Sequence, residues 1–243
     1  MGVACGDLDG DGRIDLAITN FFGESTSFYK NLGRGDFSER SAAVGLVGAT
    51  RSLLGFGVAL VDLDNDGRLD LLSANGHVND FRPAAPYAMP AQLLLGRPGG
   101  TLADVSAHAG EPFRTSHLGR GLAAGDLDND GRVDALLVAL DEPMILLRNR
   151  SETSGHWLTL SLAGTASNRD AVGAVVTVRH GETRQVAARF GGGSYLSAGD
   201  PRLHFGLGTS RLRTLSRFTG PPAGSTRLPA WRPTAATPSA RAS

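Results

Sequence analysis

Three nine-residue runs concentrate carboxylates in a way that points to cation chemistry. Asp7, Asp9, Asp11 and Asp15 recur in the same spacing as Asp62, Asp64, Asp66 and Asp70, and again as Asp126, Asp128, Asp130 and Asp134. Each run has aspartate at positions 1, 3, 5 and 9, and glycine (Gly12, Gly67, Gly131) at position 6. Glycine there permits the sharp turn that brings alternate side chains round one point. Arginine follows at position 7 (Arg13, Arg68, Arg132), and its backbone carbonyl completes a candidate ligand set. The runs hold 12 of the 24 acidic residues in the chain, and carboxylates this crowded repel one another unless a cation sits among them. Oxygen-only donors select a hard cation, and carboxylates with a carbonyl and water favour Ca²⁺ over strictly octahedral Mg²⁺. A lone Asp-Gly pair reads as a β-turn, but a fourfold-acidic loop seen three times goes beyond turn chemistry. An EF-hand would need glutamate at position 12 and flanking helices; Ile18, Ser73 and Leu137 stand there instead.

The loops need a scaffold, and the repeat predicts it. Phe28 to Gly45 is echoed 65 residues on by Leu93 to Gly110, so two matching pieces recur in one order. Short apolar runs flank each loop, as at Gly57 to Val61 and Leu69 to Ser73, with no sustained helical period. Each repeat therefore reads as a few short antiparallel strands that must stack on their neighbours, with loop residues such as Leu8 and Ile14 anchoring the loop to the sheet. Beyond Arg150 the pattern changes. Trp157 to Leu162, Val172 to Val178 and Gln185 to Phe190 are strand-like and predict a second all-β domain, with Gly191 to Tyr195 a turn entering a further strand. From residue 209 onward Arg, Pro, Ser and Ala take over, with five of the 12 prolines and no acid, which predicts a disordered tail. The expected division is 1–150, 151–208 and 209–243.

These residues resemble a known family. The acidic loops with their apolar lead-ins, together with the segment Asn31 to Phe37, look like FG-GAP/VCBS repeats, which implies blades of a β-propeller with calcium in the loops. Ser167 to Ala174, Gly192 to Ser197 and Leu203 to Gly208 look like the ASPIC/UnbV domain, and the pair in this order is similar to the cartilage acidic protein family and its bacterial relatives. The resemblance implies an all-β protein, a partial β-propeller followed by a small all-β domain. It also implies an extracellular or cell-surface interaction module with up to three Ca²⁺, a protein or glycan partner, and no catalytic role. Three repeats cannot close a ring of four to eight blades, so a propeller fragment is expected, with open blade edges prone to self-association. The tail would then be a frameshifted reading of the last strand of the second domain, leaving that domain's sheet with an exposed partner strand.

Composition narrows the alternatives. Lys plus Arg equals Asp plus Glu at 24 each, but the last 43 residues hold seven arginines, leaving 17 basic against 24 acidic residues in residues 1–200. An acidic body argues against nucleic acid. No apolar run is long enough for a membrane span, and the first residues lack the pattern of a signal peptide. Cys5, the sole cysteine, has no internal disulfide partner and reads as a core strand residue. Ser194, Ser197, Asp200 and His204 supply one alternative, a Ser/His-type hydrolase in residues 190–208, although no Gly-x-Ser-x-Gly elbow is present, and a non-functional gene fragment is the other. His77 and His156 read as hydrogen-bonded structural residues. Arg34, Gly35 and Asp36 spell an integrin-recognition tripeptide inside the turn of a repeat and read as turn chemistry.

Overall fold

The computed structural model describes residues 1–152, 155–164, 168–180, 183–210 and 214–219, the last as the course of the chain alone. Strands β1 (Val3–Gly6), β2 (Asp15–Ile18), β3 (Ser27–Gly33) and β4 (Asp36–Glu39) form one antiparallel sheet in chain order. After a short helix, α1 (Leu46–Thr50), a second four-stranded sheet follows from β5 (Gly55–Val61) and β6 (Asp70–Asn75). Its sequence is interrupted by β7 (Met89–Pro90) and completed by β8 (Gln92–Arg97) and β9 (Thr101–Asp104). β10 (Ser116–His117) pairs with β7, and β11 (Gly119–Gly125), β12 (Asp134–Ala139) and β13 (Ile145–Leu147) make a third sheet. The protein is nearly all β, and the three sheets stack in chain order as part of a propeller, β1 against β5 and β5 against β11. Each acidic run is the connection between the first and second strands of its sheet.

Alternation within strands decides which sheet faces which. Neighbouring residues point to opposite faces; Leu71 packs with Ala17, Phe28 and Leu60 towards the first sheet, whereas Leu72 packs with Leu122 and Leu137 towards the third. Every residue of β6 is therefore buried, while β2 buries only alternate residues. The third sheet is covered on one face only: Val138 and Leu146 on the other are 49% and 53% exposed.

The second domain pairs β14 (His156–Leu160) with β17 (Leu203–Gly208), and β15 (Val175–His180) with both β16 (Thr183–Ala188) and β18 (Thr214–Thr219). Leu158, Leu160, Val176, Val178, Phe205 and Leu207 form its core. β18 lies inside the segment expected to be disordered. The five prolines behind that expectation all come after residue 220, and the six residues of β18 contain neither Pro nor Gly, so nothing local opposes a strand. β15 is consequently paired along both edges, and the exposed partner strand foreseen for this sheet is not found. Most of the proposed frameshifted tail, residues 220–243, lies outside the described residues.

Residues 193–200 do not form the further strand expected there. They turn at Ser194–Leu196 and run across the first strands of all three blades. Ser194 N donates to Val3 O (3.0 Å), Val58 N donates to Ser194 Oγ (2.8 Å), Leu122 N donates to Ser197 Oγ (3.0 Å), and Asp200 N donates to Ala124 O (2.9 Å). The inner strands have amides and carbonyls with no strand beyond them, and this crossing segment satisfies them with two side-chain hydroxyls and two backbone amides instead of a continuous ladder. Cys5, on β1, is half-buried and lines a cavity beneath the second domain rather than sitting in a core cluster.

Candidate metal centres

The three acidic loops share one hydrogen-bond scheme. The position-1 carboxylate accepts from the position-6 glycine amide: Gly12 to Asp7 at 3.0 Å, Gly67 to Asp62 at 2.8 Å and Gly131 to Asp126 at 3.0 Å. Position 3 accepts from the amide of position 5, and position 5 from the amide of the arginine at position 7, so Asp9, Asp64 and Asp128 and then Asp11, Asp66 and Asp130 each close a small turn. The Arg13, Arg68 and Arg132 guanidinium groups fold back onto Asp11, Asp66 and Asp130. The path requires left-handed backbone at positions 4 and 6. Gly10, Asn65 and Asn129 supply the first at φ 74°, 58° and 58°, and the three glycines supply the second.

The position-9 aspartates tie each loop to the third strand of its own sheet or, in the third loop, to Asn149 just beyond that strand. Asp15 accepts from Leu8 N and Asn31 N (3.1 and 2.9 Å), Asp70 from Leu63 N and Gly96 N (2.8 and 2.7 Å), and Asp134 from Leu127 N and Asn149 N (3.4 and 2.8 Å). The apolar anchors hold unevenly: Leu8 and Val133 are buried, whereas Leu127 is 53% exposed.

Asp7, Asp9 and Asp15 each bring one oxygen within 4.8 Å of the others, as do Asp62, Asp64 and Asp66, and Asp126, Asp128 and Asp130. These donors are all hard oxygens, and Asp7 Oδ1 is buried with no hydrogen-bond partner in the protein. Such an orphaned acceptor costs free energy unless a proton or cation meets it. Burial, with the neighbouring carboxylates adding to it, pushes Asp7 and Asp62 up to about 7 and Asp70 up to about 8. Burial also moves Asp15, Asp66 and Asp126 upward. The residues therefore fit a hard divalent cation.

The second domain sits over the loops. A Cβ on Gly206 would lie 2.0 Å from Asp62 Oδ2, so the β17 backbone rests directly on the middle loop. Gly208 N donates to Asn65 O (2.8 Å), His204 Nε2 lies 2.7 Å from Asn65 Oδ1, and Gln185 donates to Gly206 O (2.6 Å) beside Gly67. The Trp157 ring lies against Gly131 of the third loop, Arg202 donates to Asp126 O (2.7 Å), and Arg184 covers Gly12 of the first. Asn65 also donates to Gly131 O (2.9 Å), joining two loops. A cavity of about 210 Å³ remains between the domains, lined by Cys5, Leu60, Asp62, Asp126, Val186 and His204 among others. Burial, helped by Arg202, lowers His204 to about 4.

The Ser/His constellation is not assembled. Ser194 and Ser197 accept inner-strand amides, Asp200 is paired with Arg202, and His204 is placed between Asn65 and Thr159. His77 is buried among Phe21, Phe22 and Phe81 and accepts from Asn79 N. Arg34 and Gly35 form the turn between β3 and β4.

Two side chains at the loops were not foreseen. Lys30 pairs with Asp9 and lies 3.1 Å from Asp11, and Arg148 pairs with Asp128. Their signal in the sequence is positional: each directly precedes the residue whose amide meets the position-9 aspartate. The roofing residues Trp157, Arg184, Gln185 and Gly206 carry no such signal, because only the folded chain brings them over the loops.

Comparison with known proteins agrees with the two segments that carried the resemblance. The FG-GAP-like repeat family matches residues 7–73, and the ASPIC and UnbV family matches residues 164–216. Cartilage acidic protein 1 of Mus musculus is 25% identical over 214 residues, covering 85% of this chain and 31% of that protein. Its namesakes in Xenopus tropicalis and Homo sapiens are each 24% identical, over 88% and 85% of this chain. The chain thus spans about a third of the length of the curated relatives it matches. No helix among the described residues is long and apolar enough to cross a membrane.

Proposed function

We propose that the protein is a calcium-binding, non-enzymatic interaction module of the extracellular space or cell surface. In this reading each loop holds one Ca²⁺ with its four aspartates and the carbonyl of Arg13, Arg68 or Arg132. Bound calcium neutralises carboxylates that burial otherwise forces towards protonation, and so fixes the loops on which the second domain rests. The observation that carries the reading is the threefold recurrence of converging carboxylate oxygens, with the orphaned Asp7 Oδ1 in the first group. The extracellular setting and a protein or glycan partner are supported by the likeness to cartilage acidic protein 1. Self-association is supported by the uncovered face of the third sheet, where Val138 and Leu146 are exposed.

Ligand binding to the folded state raises its stability by mass action. Millimolar Ca²⁺ is expected to raise the melting temperature, with affinities as weak as roughly 10⁻⁴ to 10⁻³ M. A shift no larger than that given by Mg²⁺, with no calcium-specific heat in calorimetry, ends the reading. A monodisperse monomer in light scattering at tens of micromolar ends the self-association part.

A further inference from the structure

The position-9 aspartates of the three loops meet equivalent residues, on the third strand of the first two sheets and just beyond it in the third. The amides that meet Asp15, Asp70 and Asp134 belong to Asn31, Gly96 and Asn149, and the residues just before them are Lys30, Leu95 and Arg148. At this one position the first and third loops carry a cation, and in both it reaches the position-3 carboxylate of its own loop, Asp9 or Asp128. Lys30 also approaches Asp11 at 3.1 Å. Asp9 and Asp128 belong to the groups whose oxygens converge for a metal ion. A lysine or arginine charge on these carboxylates stands where the charge of a divalent ion is needed.

We propose that Lys30 and Arg148 are tethered counter-charges: they neutralise the first and third loops when no ion is bound and must leave position 3 for calcium to enter. This rests on the calcium reading above, and it adds which side chains set the affinity. Two like charges a few ångströms apart repel in partly solvated surroundings by enough to change a binding constant about tenfold. The same side chains offset carboxylate repulsion in the ion-free protein. Lys30 and Arg148 therefore act in opposite directions on the two states, which an ordinary structural salt bridge does not do.

The test uses the full chain with Lys30→Leu, Arg148→Leu, Lys30→Arg and Leu95→Lys, melted in chelator and titrated with CaCl₂ by calorimetry. Lys30→Leu and Arg148→Leu are expected to melt lower than wild type in chelator yet to bind one calcium each about tenfold more tightly. Lys30→Arg is expected to behave as wild type, and Leu95→Lys to weaken one site. Unchanged or weaker calcium binding in both leucine variants overturns the proposal, as does an unchanged melting temperature in chelator. A wild-type chain with no calcium heat removes the calcium reading and the affinity claim together, while the melts in chelator still report whether the tethers hold the loops.

Discussion

The middle and third loops have nearly the same sequence and the same internal hydrogen bonds, yet they live in different surroundings. Asp62 lies under β17 and Asp70 lies against β8, with 4% and 1% of their surface exposed, and both are pushed into or above the neutral range. In the third loop Asp126 feels Arg202, Asp128 is exposed and paired with Arg148, and Asp130 is held below its ordinary value despite partial burial by Arg132, the counterpart of the Arg68 that pairs with Asp66, with Arg148 adding to it. Local sequence dictates the path of the loop, because the bonds repeated in both loops join residues of the loop or of its own blade. Tertiary surroundings dictate its electrostatics, because the groups that differ come from the neighbouring strand or the other domain.

The largest expected effect is on the tie between the middle loop and its sheet. Asp70→Ala leaves the buried Gly96 N and the partly buried Leu63 N without an acceptor, and at about 1–3 kcal/mol for each orphaned group the loss measured by urea denaturation should exceed 2 kcal/mol. A loss under about 0.5 kcal/mol shows that the position-9 aspartate does not fix the loop.

Next comes the roof. Gly206→Ala drives a Cβ into Asp62 and the Asn65 backbone, an overpacking expected to cost about 1–3 kcal/mol. Gly10→Ala, at the tip of the first loop with nothing within 4 Å, meets only its left-handed backbone, at about 1 kcal/mol. Equal melting temperatures for the two variants would show that β17 does not press on the loop.

The third outcome concerns pH. The unfolded carboxylates titrate near 3.8, whereas Asp62 and Asp70 in the folded, ion-free protein titrate near 7 and 8, so the folded state holds the extra protons. Stability then falls as pH rises through that range. In chelator the melting temperature should drop by roughly 5 °C between pH 6.5 and 8.5, and saturating Ca²⁺ should flatten the curve. A rise over this window contradicts the burial of the middle loop.

The smallest effect belongs to the third loop. Asp128→Ala in chelator removes an exposed pair with Arg148 and should change stability by less than about 1 kcal/mol, while the same substitution should abolish one calcium equivalent in calorimetry. Loss of all calcium binding would instead mean that the loops fold as one unit.

Much of this was legible in sequence because it is local. The repeat of Asp7 to Asp15 at Asp62 and Asp126, the glycines at position 6 and the short apolar runs beside them announce strands and tight acidic loops without reference to anything distant. What was hidden depends on partners far along the chain. Ser194 and Ser197 look like nucleophile candidates until Val58 and Leu122 are seen to occupy them. Cys5 looks like a core residue until its strand is seen to border the cavity between the domains. β18 was lost because composition averaged over 35 residues masked six that pair well. Lys30 and Arg148 were visible as charges, but their meaning required the register that sets Asn31 and Asn149 against Asp15 and Asp134.

The segment that crosses the inner strands also sets an order in time. Ser194 is 136 residues from Val58, the amide it receives. A ribosome adding about 5–20 residues per second needs on the order of ten seconds to cover that distance. During that delay the first two blades have emerged with the inner edge of β5 still bare, an interval in which a chaperone or another nascent chain can reach it. The final contacts close only after residues 194–200 have been made, so these repeats are completed well after they are synthesised.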